Sequence, residues 1–223
     1  MTNPIPSPES PKSEWRAWAL ATRRTLDLPT LSEQLCATLE PALAGARHIL
    51  LYAASPLELD VLNLSHPRPL PPPGTRKLVG EERGANPPWF PFPTPRGHPE
   101  RTPGRGVRGE VKAQFYLPRC APERRLAIHA YPCPLTLGSF GIREPHESVP
   151  EVSPEILDLV LVPALVIDER GYRLGYGAGY YDRFLPKLPK TCRTFGIAPF
   201  LVPKLPTDSW DVPVDGIFVP KVA

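Results

Sequence analysis

The chain has 223 residues, a formal net charge of +3 and 41% hydrophobic residues. These values are close to the averages for soluble globular proteins, which excludes whole-chain disorder and a fibrous protein, and the length suits one large domain or two small ones. Four cysteines without paired short spacing argue against a disulfide scaffold or a zinc knuckle and favour reduced thiols. No apolar run approaches the ~20 residues of a membrane helix, and residues 1–10 lack the apolar stretch of a secretory signal. We therefore expect a cytoplasmic protein that does not bind membranes.

Proline is the anomalous residue, with 34 copies, about 15% of the chain against the usual ~5%. The segment Pro67 to Arg108 holds twelve prolines, eight Lys or Arg and three Glu, a net charge of +5. Proline disfavours regular elements, so we expect one α/β domain over residues 1–223 with a Pro/Arg-rich loop insertion at about 66–108. A tolerated insertion is the favoured interpretation, and a basic cover over an anionic ligand is the main alternative. The aromatic residues lie between prolines rather than in a stacking pattern, so we expect no nucleic-acid partner.

The rest of the chain alternates between helix and strand patterns. Ser13 to Asp27 carries Trp15, Trp18 and Leu26 on one face, which predicts an amphipathic helix. A second helix is predicted from Thr30 to about Leu43, with Glu33 completing a capping box. Strands are predicted over Arg47 to Ala54, Lys112 to Leu117, Arg125 to Tyr131 and Ile156 to Val162. Continuously apolar strands favour a mainly parallel sheet covered by helices.

The most informative segment follows the apolar run 158–168 and a turn at Gly171. It places glycine at every second position, at Gly175, Gly177 and Gly179, and then predicts an amphipathic helix. Glycines let the backbone approach a ligand, and the N–H groups at a helix start can hold phosphate, with Arg173 as an additional cation. The spacing matches neither the dinucleotide fingerprint nor the Walker loop. On spacing alone, a tight strand-to-helix turn is an equal alternative.

The string RLGYGAGYYD, from Arg173 to Asp182, resembles the 5-formyltetrahydrofolate cyclo-ligase family, also called 5,10-methenyltetrahydrofolate synthetases. Five further segments resemble that family in the same order: Lys12 to Arg16, Leu51 to Asp60, Tyr116 to Arg119, Gly141 to Pro145, and Trp210 to Asp215. The resemblance implies a three-layer α/β sandwich with a mixed, mostly parallel sheet, similar to phosphosugar isomerases and CoA-transferases. Ligands of open α/β sheets bind near the carboxyl ends of the strands, and we expect ATP there.

The resemblance also implies a reaction. ATP and Mg²⁺ would drive cyclisation of 5-formyltetrahydrofolate, free or polyglutamylated, to 5,10-methenyltetrahydrofolate, with release of ADP and phosphate. The formyl oxygen would be phosphorylated first, because it is otherwise a poor leaving group. Such a step depends on charge neutralisation and positioning. We expect the protein to act as a monomer.

Site residues carried over from the resemblance fall into four sets. The catalytic residues would be Arg173, Tyr180 and Asp182. ATP would be bound by Lys12, Arg16, Arg173, Leu174, Gly175, Tyr176, Gly177, Ala178, Gly179, Tyr180 and Tyr181. The folate substrate would be bound by Glu58, Phe140, Tyr176 and Tyr180, and Mg²⁺ by Asp182 and Asp211.

Each assignment has a structural alternative. Lys12 and Arg16 lie one turn apart and could form a solvated basic face. Asp182 could serve the dipole of the helix that it begins, Asp211 could be a turn residue, and the aromatic residues could pack in the core.

Two features depart from the family pattern. The segment after Glu58 reaches Pro67 without room for the family's helix, and Trp210 stands where the family usually has His. These departures keep open a non-catalytic nucleotide-binding relative with an altered folate pocket. A third interpretation is a phosphosugar isomerase or acyl-transferase of similar architecture, which would not require Mg²⁺.

Overall fold

The computed structural model describes residues 4–65, 113–138 and 140–221. The predicted insertion at 66–108 therefore lies outside the described residues, as does Lys112. The α-helices are α1, Lys12–Arg23; α2, Leu28–Leu39; and α3, Tyr180–Phe184. Short 3-10 segments occur at Glu40–Leu43, Leu62–Ser65, Pro122–Arg124, Pro154–Ile156 and Leu185–Lys187.

Both predicted helices near the start of the chain exist, but their boundaries differ from the prediction. Helix α1 ends at Arg23, and Leu26 packs with α2 rather than with Trp15 and Trp18. Helix α2 begins at Leu28, because the Asp27 carboxylate accepts a hydrogen bond from the Thr30 N–H at 3.3 Å. The predicted cap at Thr30 is therefore wrong: Asp is as good a cap, and proline is tolerated in a first helical turn.

In the part of the chain that the structure describes, twelve strands form three sheets. In chain order they are β1, His48–Leu50; β2, Gln114–Ala121; β3, Arg125–Tyr131; β4, Leu135–Leu137; β5, Arg143–Pro145; β6, Glu151–Val152; β7, Leu159–Pro163; β8, Val166–Asp168; β9, Arg173–Leu174; β10, Arg193–Ile197; β11, Leu201–Val202; and β12, Gly216–Phe218. The largest sheet has the order β12-β10-β7-β1-β2-β3-β6. Its β12, β10, β7, β1 and β2 pair in parallel, while β3 pairs antiparallel with both β2 and β6. The sheet is thus mixed and mostly parallel, as predicted.

The central strands bury both of their faces. Along β7, Leu159 and Leu161 belong to a core cluster with Leu35 of α2, while Val160 and Val162 belong to a second cluster with Phe184 of α3. Alternation along a strand sends neighbouring side chains to opposite faces. The sheet therefore lies between a layer containing α2 and a thinner layer containing α3, which is the predicted three-layer arrangement.

The apolar run 158–168 forms two strands rather than one. Strand β7 ends at Pro163, and β8 then pairs with β9 and β11 in a separate three-stranded sheet. Helix α1 packs on that smaller sheet through Trp15, Trp18 and Ala19. This packing places the polar face of α1 beside the segment that follows β9.

Strand β3 has its predicted bounds, whereas the other strands differ at their ends. Strand β1 covers three residues of the predicted eight, and β2 continues to Ala121. Strand β7 begins later than predicted because Pro154–Ile156 forms a 3-10 turn. No helix within the described ranges is long and apolar enough to cross a bilayer.

Candidate active site

A loop of alternating glycines lies between β9 and α3. Gly177 and Gly179 have φ angles of +104° and +71°, a backbone region that side chains other than glycine rarely occupy. The N–H groups of Gly177, Ala178 and Gly179 donate to no acceptor in the described part of the chain. Three successive open donors can bind the oxygens of an anion.

Helix α3 follows this loop, as the sequence predicts. It spans five residues and continues into the 3-10 turn Leu185–Lys187. Pro186 removes a backbone donor and ends the α-helix. A helix this short has little dipole, so the open N–H groups of the loop carry the anion-binding argument instead.

Arg16 contacts the glycine loop directly. Its Nε donates to the Gly175 carbonyl oxygen at 3.0 Å. Its guanidinium also lies beside Gly177, where a Cβ atom would be 3.4 Å from Arg16 Cζ. The structure thus brings together two parts of the predicted ATP site that are separated by about 160 residues in sequence.

Lys12 lies one turn earlier on α1 and has different partners. Its Nζ donates to Asp208 Oδ2 at 2.7 Å and to Asp211 Oδ2 at 2.5 Å. Burial alone would lower the pKa of Lys12, but its hydrogen bonds and charge interactions with these two carboxylates raise it. The predicted ATP ligand and the predicted metal ligand Asp211 therefore form an ion pair with each other.

Arg173 and Asp182 form a second ion pair at the ends of the loop. Arg173 Nη2 donates to Asp182 Oδ1 at 2.7 Å, and Nη1 donates to the Val212 carbonyl oxygen at 2.5 Å. The Arg173 side chain is only 5% exposed, and burial lowers its pKa, partly offset by the charges of Asp182 and Asp211. We call Lys12, Arg173, Asp182, Asp208 and Asp211 the ion-pair cluster.

A buried carboxylate holds the turn that precedes Arg173. Asp168 is 0% exposed and accepts hydrogen bonds from the N–H groups of Arg170, Tyr172 and Leu205, each at 3.0 Å. Charge-assisted hydrogen bonds of this kind fix a turn firmly. Asp168 therefore sets where Arg173 leaves the turn.

The two predicted metal ligands offer oxygen donors of the type that Mg²⁺ prefers. Asp182 Oδ2 and Asp211 Oδ1 accept no hydrogen bond from the described residues, while the second oxygen of each carboxylate is engaged. No group of three or more Asp, Glu, His or Cys able to hold a metal occurs in the described ranges. Mg²⁺ commonly takes one or two carboxylates together with substrate phosphates and water, so this pair fits it.

Glu58 and Tyr176 meet on the other side of the glycine loop. Glu58 is 9% exposed and its Oε2 accepts a hydrogen bond from the Ser55 N–H at 2.8 Å. The Tyr176 hydroxyl lies 3.3 Å from Ser55 Oγ, while its side chain remains half exposed. Burial, and then the charge of Glu58, raises the pKa of Tyr176. Two predicted substrate residues are thus neighbours.

Phe140 and Tyr180 form an aromatic pair near the end of the loop. Their ring centroids are 6.2 Å apart in an edge-to-face arrangement, and Phe140 is 59% exposed. Tyr181 adds a buried hydroxyl that has no hydrogen-bond partner among the described residues. An exposed aromatic side chain and an orphaned hydroxyl favour ligand contact over core packing. We call Phe140, Tyr176, Tyr180 and Tyr181 the aromatic wall.

Sequence reasoning missed Arg23 and Asp208. Arg23 is 1% exposed, and its guanidinium donates to the carbonyl oxygens of Leu57 at 2.6 Å and Ala164 at 2.5 Å. It therefore holds the segment that carries Glu58 against the end of β7. Arg23 lies seven residues after Arg16, a spacing that returns to the same helix face and could have identified it. No sequence pattern marks Asp208 as a partner of Lys12.

The shortened wall after Glu58, expected from sequence, is present as far as the structure describes it. Leu62–Ser65 forms a single 3-10 turn of four residues, and the next residues lie outside the described ranges. Trp210 is 68% exposed beside Asp211. Neither departure displaces Glu58 or Asp211 from the site.

Comparison with known proteins identifies the class to which this fold and site belong. The model of the 5-formyltetrahydrofolate cyclo-ligase family matches residues 108–220. A 5-formyltetrahydrofolate cyclo-ligase of Haemophilus influenzae is 40% identical over 90 residues, which cover 39% of this chain and 48% of the relative. One from Mycolicibacterium smegmatis is 36% identical over 93 residues, covering 40% of this chain and 48% of that protein. The chain thus spans about half the length of the curated relatives it matches.

The fold agrees with that comparison. The solution structure of a 5,10-methenyltetrahydrofolate synthetase from Aquifex aeolicus is 28% identical, with a TM-score of 0.62, over 93% of this chain and 89% of the other. A synthetase structure from Mycoplasma pneumoniae has a TM-score of 0.58 over 94% and 98% of the two chains at 17% identity, which supports the fold alone. The chain belongs to the 5-formyltetrahydrofolate cyclo-ligase family.

Proposed function

We propose that the protein uses ATP and Mg²⁺ to cyclise 5-formyltetrahydrofolate to 5,10-methenyltetrahydrofolate, releasing ADP and phosphate. The observation that carries the proposal is the glycine loop. Its open N–H groups lie between Arg16 on one side and the Arg173–Asp182 pair on the other. A triphosphate needs this combination of backbone donors and cations, and family membership supplies the folate.

Binding of the triphosphate would exchange partners within the ion-pair cluster. Lys12 and Arg173 are neutralised by carboxylates in the structure, and both would turn toward phosphate oxygens when Mg²⁺ engages Asp182 and Asp211. The cation supplies charge neutralisation during transfer of the γ-phosphoryl group. The residues of the chain orient the phosphate chain and hold the formyl oxygen in line with it.

The aromatic wall would bind the folate. Glu58 offers Oε1 to the paired amino and ring N–H donors of the pterin, and Phe140 and Tyr180 give a surface on which a flat ring can pack. Tyr176 and Tyr180 lie within or next to the glycine loop. They would therefore touch both substrates and bring the formyl oxygen to the γ-phosphate.

Absorbance of the methenyl product tests the proposal directly. Purified protein with ATP, Mg²⁺ and 5-formyltetrahydrofolate should develop methenyl absorbance with one ADP per product, and omission of ATP or addition of EDTA should abolish it. Turnover without Mg²⁺ would favour an isomerase or acyl-transferase mechanism. Nucleotide binding without product would instead favour the non-catalytic relative.

We further propose that the protein acts as a monomer in the cytoplasm on free or polyglutamylated folate. None of the four cysteines forms a disulfide in the described residues, which suits a reducing compartment. Sedimentation of the purified chain tests whether it is a monomer. Michaelis constants for mono- and polyglutamylated substrate test whether the polyglutamate tail affects binding.

A further inference from the structure

Glu144 is a buried carboxylate without a compensating charge. It is 6% exposed, and it forms no ion pair with any cation in the described part of the chain. It lies in β5, where it pairs with Thr136 of β4. Burying an uncompensated carboxylate costs several kcal/mol, so a retained one points to a functional demand.

The carboxylate occupies space that Gly138 leaves free. A Cβ atom on Gly138 would lie 2.5–2.8 Å from the three carboxyl atoms of Glu144. The thiol of Cys120 lies on another side and interacts with both Glu144 and Tyr180. Burial, and then Glu144, raises the pKa of Cys120 to about 12, so the thiol stays a neutral, weak donor.

This position is next to the proposed folate site. Tyr180 contacts Phe140 edge to face and is the first residue after Gly179 of the glycine loop. Glu144 therefore lies where the aromatic wall meets the phosphate-binding loop. The reacting atoms of the folate must come to that same place, because the formyl oxygen has to reach the γ-phosphate.

The other carboxylates of the site are already engaged. Asp182 pairs with Arg173, Asp211 pairs with Lys12, and Glu58 accepts a backbone N–H. A hydrogen bond or cation stabilises the ionised form and makes a carboxylate a poorer proton acceptor. Glu144 has no cation partner in the described ranges and only the weak Cys120 thiol as a hydrogen-bond donor, so its oxygens remain open to a proton donor of the substrate.

We propose that Glu144 is a catalytic base that accepts the proton of folate N10 during ring closure; this assignment rests on the proposed function. After phosphorylation of the formyl oxygen, the N10 lone pair adds to the formyl carbon and forms the new C–N bond. The N10 proton passes to the Glu144 carboxylate. The C–O bond then breaks, and phosphate leaves with its electron pair to give the methenyl cation.

Two variants test the assignment by different routes. Glu144→Gln removes the proton acceptor but keeps the shape of the side chain. Gly138→Ala leaves Glu144 in place but displaces its flexible carboxyl end. Glu147→Gln is the matched control, because Glu147 is 76% exposed and belongs to the same turn region. Thermal unfolding of each variant confirms that the protein is folded.

The measurement is a single turnover with enzyme in excess, in which ADP is followed by rapid quench and the methenyl product by absorbance. In wild-type and Glu147→Gln protein, the two products should appear together. In Glu144→Gln, ADP should form within about threefold of the wild-type rate while ring closure slows about 10²–10³-fold, the usual range for loss of a general base. In Gly138→Ala, ring closure should also be slower than ADP formation, but by a smaller factor.

Each other outcome counts against the assignment. Wild-type rates of ring closure in folded Glu144→Gln, or equal slowing of ADP formation and ring closure, would overturn it while leaving the proposed function intact. If Glu144→Gln does not fold, coincident ADP and methenyl formation in folded Gly138→Ala would overturn it. Wild-type protein that forms neither product would overturn the proposed function and the base together.

Discussion

The two sides of the glycine loop satisfy their polar groups in opposite ways. In the ion-pair cluster, Lys12 and Arg173 each have a carboxylate partner within 2.7 Å. Along the aromatic wall, Glu58 and Glu144 form no ion pair in the described ranges, and the Tyr181 hydroxyl has no partner. The first region pairs each of its cations with a carboxylate and must exchange partners to bind a ligand. The second leaves acceptors open, so a ligand can satisfy them without displacing protein contacts.

The largest effect that this comparison predicts is at Arg173. Arg173→Ala should cost about 3–5 kcal/mol of unfolding free energy, because it removes a buried partner of Asp182, and it should abolish most turnover. Asp182→Ala should also abolish most turnover. Urea unfolding and the absorbance assay measure both effects. Lys190→Ala, an exposed cation near the same helix, is the control, and unchanged turnover in both variants would remove them from the site.

A smaller effect that separates the two regions is expected at Glu58. Glu58→Gln should raise the Michaelis constant for folate about 10–100-fold, because one acceptor of the pterin donors is lost, and should leave that for ATP nearly unchanged. Unfolding free energy should change by about 1 kcal/mol or less, since no ion pair is broken. Glu155→Gln is the control variant, because Glu155 is exposed. An equal change in the Michaelis constants for folate and for ATP would contradict the division of the site into a folate-binding region and an ATP-binding region.

Lys12 should show the converse behaviour. Lys12→Met breaks two partly exposed ion pairs, so the loss of stability should be about 1 kcal/mol. The Michaelis constant for ATP should rise about tenfold while that for folate is kept. Steady-state kinetics at two salt concentrations, with Arg24→Ala as an exposed control immediately after α1, would show this. A rise in the Michaelis constant for folate alone would contradict the assignment of Lys12 on α1 to ATP binding.

An effect that does not involve the site is expected in the core beneath α3, where Cys192 packs with Phe184. Burial raises the pKa of Cys192 from 9.0 to about 12, with Asp158 and Asp215 adding to it. The unfolded thiol ionises first, so unfolding free energy should fall as pH rises from 9 toward 12, by on the order of 1 kcal/mol per unit. Urea unfolding at pH 8, 10 and 11 should show a shallower decline for Cys192→Ala. An equal decline of unfolding free energy with pH in wild-type and Cys192→Ala protein would contradict the raised pKa of Cys192.

Local sequence predicted the parts of the fold and site that local chemistry determines. The glycine loop needs residues that tolerate positive φ, and β3 coincides with a largely apolar segment, so both were recognisable. The presence of α3 was predicted, but its length, which depends on Pro186 and on packing, was not. Partners such as Lys12 with Asp208, or Glu144 beneath Gly138, come from tertiary contacts, which no spacing rule encodes.

The pairing of Lys12 with Asp208 and Asp211 joins residues that are 196 and 199 positions apart in the chain. During synthesis α1 therefore leaves the ribosome well before either carboxylate. Until Asp208 and Asp211 emerge, Lys12 lacks both partners and the proposed nucleotide site is incomplete. We therefore expect the proposed ATP site to form only after residue 211 has been synthesised, so the order of synthesis delays nucleotide binding to the nascent chain.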